Sequence, residues 1–100
     1  MEAELDVLCL VGDIEKKKII KKFLQEETRP HLSSEVMDEH KNTFEILDNL
    51  SSVEVAELKG ENGIALSWFI GGGDWFTETE LILKDLLKAG VDQAAAALWV

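Results

Sequence analysis

Residues Leu5 to Val11 (LDVLCLV) are nearly all apolar, and the run is short. That pattern predicts a strand buried on both faces. Gly12 and Asp13 then punctuate the chain, with Asp13 placed to cap a helix. From Ile14 to Glu27 the period changes. Ile19, Ile20, Phe23 and Leu24 gather on one face of a helix, and Lys17, Lys18, Lys21 and Lys22 are expected on the solvated opposite face. Glu26 to Ser34 holds the only proline and reads as a loop, with Arg29 pushed out of helical geometry by Pro30. A second helix is predicted from Glu35 to Asn49. Val36, His40, Phe44 and Leu47 form its stripe and Ser34 is its N-cap.

The second half changes character. Val53 to Lys59 alternates apolar and charged residues, as a one-faced strand does, and Ile64 to Ile70 is apolar almost throughout, as a central strand is. Gly60 to Gly63 would join them as a hairpin. Gly71, Gly72, Gly73 and Asp74 break the pattern. Thr77 and Glu80 read as a capping box, with Phe76 a staple partner to Leu81. The helix they open carries Ile82, Leu83, Leu86 and Leu87 to about Ala89, where Gly90 is the expected C′ residue. Gln93 to Val100 reads as a last strand, lying at a sheet edge, although its four consecutive alanines also suit a helix.

The order is strand, helix, helix, strand, strand, helix, strand. With the first two helices counted as one crossover it becomes β-α-β-β-α-β, a split-βαβ or ferredoxin-like sandwich with an antiparallel sheet. Strands 1 and 3 are central in that arrangement, and here they are the most apolar. The alternative, should Leu5 to Val11 be helical, is an α+β domain with N-terminal helices packed on a three-stranded sheet. One hundred residues amount to a single domain, taken as residues 1–100.

Composition narrows the function classes. Twenty acidic residues face ten basic ones, a net charge of -10. That sign disfavours nucleic acid and anionic membrane surfaces, so neither is expected as a partner. Five of the ten basic residues lie between Lys16 and Lys22. No aromatic residue interleaves them, so they read as a solvated stripe rather than an RNA patch. An acidic N-terminus, no long apolar run and a single cysteine give a cytoplasmic location as the expectation.

The search for catalytic chemistry returns little. HExxH, CxxC and HxH spacings are missing, and no metal or cofactor is expected. His40 falls on the apolar stripe and reads as packed rather than catalytic. Cys9 lies in the most apolar run and reads as a buried, inert thiol. Gly71 to Gly73 lacks the lysine and hydroxyl of a phosphate loop, and Asp74, Glu78 and Glu80 place negative charge where an anion would sit. Trp68, Phe69, Trp75 and Phe76 bracket those glycines. Trp75, in a Gly-rich acidic loop, reads either as core packing or as an interface anchor.

The expected function is therefore non-enzymatic. A small acidic domain is expected to bind, and to inhibit or escort, a basic protein partner, in the manner of immunity proteins and antitoxins, through Trp75, Asp74, Phe76 and Glu78. The alternative is a small-ligand-binding or minor enzymatic domain using the Gly71 to Gly73 loop, with Asp74, Glu78 or His40 as polar contacts. Homodimerisation through the Gln93 to Val100 edge is a further expectation.

Overall fold

A computed structural model describes residues 2–50, 53–58, 62–71 and 73–100. The elements in chain order are β1 (Glu2–Leu10), α1 (Ile14–Leu24), a 3-10 turn (Arg29–His31), α2 (Ser34–Glu39), α3 (Lys41–Leu47), β2 (Glu54–Glu57), β3 (Gly63–Gly71), α4 (Trp75–Lys88) and β4 (Gln93–Trp99). The strands form one four-stranded antiparallel sheet in the order β2-β3-β1-β4. The fold is α+β, and four strands overturn the three-stranded alternative. Strands β1 and β3 occupy the middle of the sheet and β4 lies at an edge.

One core sits between the sheet and the helices. Ala3, Leu5, Val7 and Cys9 of β1 meet Ile64, Leu66, Trp68 and Ile70 of β3. The helices contribute Ile20, Phe23 and Leu24 from α1, Phe44 and Leu47 from α3, and Ile82 and Leu86 from α4. Apart from Gly63, which has no side chain, the buried residues of β1 and β3 belong to one parity of their strand, because successive side chains point to opposite faces. The expectation that β1 is buried on both faces is overturned. Leu8 and Leu10, of the other parity, are 43% and 37% exposed. The helices all pack on one side, and an apolar run alone cannot reveal that.

Local chemistry explains the element ends. Asp13 caps α1, its carboxylate accepting from the Lys16 N–H. The helix stops at Leu24, three residues before the expected Glu27. Lys17 is buried rather than solvated. It precedes Ile20 by three residues and Leu24 by seven, which puts it on their side of the helix and lays its stem along the core. Lys18 and Lys22 are exposed as expected. Arg29 is not excluded from helical geometry. It opens the 3-10 turn, with Pro30 tolerated because a first-turn N–H needs no partner. Its Nε donates to the Phe23 carbonyl at 2.7 Å and its guanidinium lies 4.2 Å over the Phe23 ring. Phe23 in turn stacks on Phe44 with centroids 4.5 Å apart.

The expected helix from Glu35 to Asn49 is two helices, broken at His40 (φ -110°, ψ 27°). Its cap is Ser33, one residue earlier than expected, whose Oγ accepts from the Val36 N–H. Helix α4 also begins earlier than the sequence pattern implied. Asp74 is the N-cap, its Oδ1 accepting from the N–H groups of Phe76 and Thr77. The Thr77 hydroxyl donates to Asp74 Oδ2 at 2.7 Å, so Thr77 supports the cap rather than being it. The Phe76–Leu81 staple does not form either. Both side chains are exposed, since a start at Trp75 places Phe76 inside the first turn. The C-terminus closes as expected. Gly90 has φ 107°, its N–H bonds the Leu87 carbonyl and the Val91 N–H bonds that of Leu86, a Schellman arrangement that needs a left-handed residue. The Gly60–Gly63 turn falls largely outside the described residues.

Candidate functional site

The side of the sheet away from the helices is open. Directly paired residues share a face, so the register reads out its surface. Phe69, Glu4 and Trp99 form one row across β3, β1 and β4. Glu54, Ser67, Asp6 and Ala97 form the next. Ala56, Ala65, Leu8 and Ala95 form a third. Alanines and Ser67 make a floor, over which lies a shallow depression of about 490 Å³. Phe69 and Trp99 belong to the row beside it and are 68% and 60% exposed. An exposed apolar surface of this kind marks an interaction site on a small domain.

The face is also charged with one sign. Glu2, Glu4, Asp6 and Glu54 all belong to it. Among the described residues it carries no lysine, arginine or histidine. Asp6 is the best fixed of the four. Its Oδ1 accepts from the Ser67 hydroxyl and its Oδ2 from the Trp99 indole N–H, each at 2.9 Å. Both donors are neutral, so they orient the carboxylate without cancelling its charge.

The residues expected to bind a partner lie at the start of α4, which follows β3 out of the sheet at the Phe69 end. They do different things there. The carboxyl of Asp74 serves its own helix, and the Thr77 hydroxyl, followed by the Thr77 N–H, holds it below the usual carboxylate range. Trp75 is half-buried against the core, and its indole N–H, though buried, has no hydrogen-bond partner among the described residues. Phe76 is 77% exposed and Glu78 is exposed. Phe69 and Trp99, which the sequence reading left as strand residues, are the large aromatics of the open face. Strand alternation sets Phe69 and Trp68 on opposite faces without saying which of them is exposed.

The groups considered for catalysis are placed as follows. Cys9 is buried, and burial pushes its thiol up to about 11, a state in which it is a poor nucleophile at neutral pH. The His40 ring is half-buried, tilted against Phe44 with centroids 6.1 Å apart. Gly73 has φ 67°, and Gly72 lies outside the described residues. Among the described residues no three His, Cys, Asp or Glu side chains converge to hold a metal ion, and no helix is long and apolar enough to cross a membrane.

When the chain is compared with protein-family models, with curated proteins and with solved structures, nothing matches it.

Proposed function

We propose that this chain is a non-enzymatic interaction module that binds, and by covering it inhibits, a basic protein partner. The observation that carries this reading is the open sheet face, where Leu8, Leu10, Phe69 and Trp99 stand among four carboxylates with no cation among the described residues. Apolar contact supplies affinity there, and the negative field steers and selects a positive surface. The net charge of -10 acts in the same direction over longer range. Phe76 and Glu78 offer a secondary contact at the same end of the sheet.

Open four-stranded sheets with exposed aromatics also bind single-stranded RNA, by stacking bases. The four carboxylates oppose that use, because phosphate would be drawn against them. The order β2-β3-β1-β4 supports reading the fold as the split-βαβ, ferredoxin-like arrangement, which carries no function by itself.

A second reading, pairing of two copies along β4, is favoured by one observation. The strand lies at a sheet edge, carries no charge and consists mainly of alanine, so it has none of the devices that protect edges. Sedimentation equilibrium over a concentration series tests it. The main reading is tested by affinity capture from the native host with wild-type and Phe69→Asp baits. The expected result is a basic protein retained by wild type, lost from the variant and released by salt. An acidic partner, or turnover of a small molecule by the purified chain, would overturn it.

A further inference from the structure

Resting on the reading above, we infer that the row Phe69, Glu4 and Trp99 is a site for an arginine side chain of the partner. Adjacent strands stand about 4.8 Å apart, so the two aromatic side chains leave the sheet about 10 Å from each other with Glu4 between them. That span suits one planar cation lying over the carboxylate and against a ring. The Trp99 indole is already held by its bond to Asp6 Oδ2, so a second negative charge lies at the edge of the ring and less side-chain freedom is lost on binding. An exposed aromatic face flanked by carboxylates attracts a cation both through the ring quadrupole and through charge.

Arginine fits better than lysine. A guanidinium is planar, stacks on aromatic rings, pairs with a carboxylate through two N–H groups and is more weakly hydrated than an ammonium. A second copy of this chain is a poor occupant. Its only arginine, Arg29, is engaged by the Phe23 carbonyl and ring and by Asp48, 3.5 Å away. A like copy would also set four further carboxylates against the four on this face.

The test is an NMR titration of the isotope-labelled chain with hexa-arginine and hexalysine peptides. The Trp99 indole resonance is identified by its loss in Trp99→Phe. The expected result is a saturable shift of that resonance, with hexa-arginine binding more tightly than hexalysine. Trp99→Ala and Glu4→Gln should each weaken hexa-arginine binding by about 3- to 30-fold. Glu45→Gln, which makes the same change in net charge on α3, should leave it within about two-fold. A dispersed amide spectrum establishes that each variant is folded. Binding that shifts other residues and leaves Trp99 unmoved overturns the inference and leaves the broader reading standing. Equal losses from Glu4→Gln and Glu45→Gln overturn it too, since bulk charge would then account for the binding. No binding of either peptide counts against both.

Discussion

The indole Nε1 of Trp99 donates to Asp6 Oδ2 at 2.9 Å, across 93 residues of sequence. It links the last strand to the first on the face that no helix covers, and it orients a large aromatic ring that remains mostly in solvent. Asp6 also takes the Ser67 hydroxyl, so one carboxylate ties β4, β1 and β3 together. Replacing it should loosen the face without emptying the core. Asp6→Ala is expected to lower stability by about 1–2 kcal/mol, the scale of hydrogen bonds to a half-buried charged acceptor. Urea unfolding measures that loss, and near-ultraviolet circular dichroism should report a freer indole.

The open face gives a contrast between two leucines on neighbouring central strands. Leu66 of β3 is buried under the helices and Leu8 of β1 is 43% exposed. Leu66→Ala should cost about 2–5 kcal/mol, from lost burial and the cavity left behind. Leu8→Ala should cost under about 1 kcal/mol in the isolated chain, because little contact is lost. Equal costs in chemical denaturation would mean that something covers the face.

Asp74 makes the start of α4 sensitive to acid. The Thr77 hydroxyl first, then the Thr77 N–H, lowers its pKa in the folded chain from the ordinary 3.8. A carboxyl depressed by folding contributes stability that is full above its unfolded pKa and is lost as pH falls through the folded one. Asp74→Ala should therefore be less stable than wild type at neutral pH, and the difference should shrink as pH drops below about 4. Asp74→Asn should keep most of the cap at every pH, because asparagine caps equally well. Thermal unfolding of the three proteins across that range reads the effect.

Cys9 sets the opposite limit. Its thiol is raised from 9.0 to about 11 by burial. Between those values the unfolded chain gives up a proton that the native chain keeps, so the contribution is intact below pH 9 and declines as pH rises toward 11. Wild type should lose stability faster than Cys9→Ala over that interval, as chemical denaturation would show. At neutral pH a thiol reagent should label the native chain slowly and the urea-unfolded chain quickly.

Much of the chain's local structure is legible in its residues. The short apolar run from Leu5 to Val11, the 3.6-residue stripe of Ile20, Phe23 and Leu24, and Gly90 after Ala89 each report an element, because backbone preference and side-chain phase are local properties. Helix starts are less legible. Asp74 and Thr77 can both cap, and the choice fell to Asp74, which accepts from two backbone N–H groups at once. The open face was beyond reach. Leu8 and Leu10 look as apolar as Leu5 and Val7, and only the placement of every helix on one side leaves them in solvent. The alignment of Glu4 between Phe69 and Trp99 depends on strand register, which is set where chain segments far apart in sequence pair. Sequence alone determined how negative the molecule would be and pointed most segments to helix or strand. Tertiary pairing decided which side chains share a surface, since that requires long-range contacts no local pattern records.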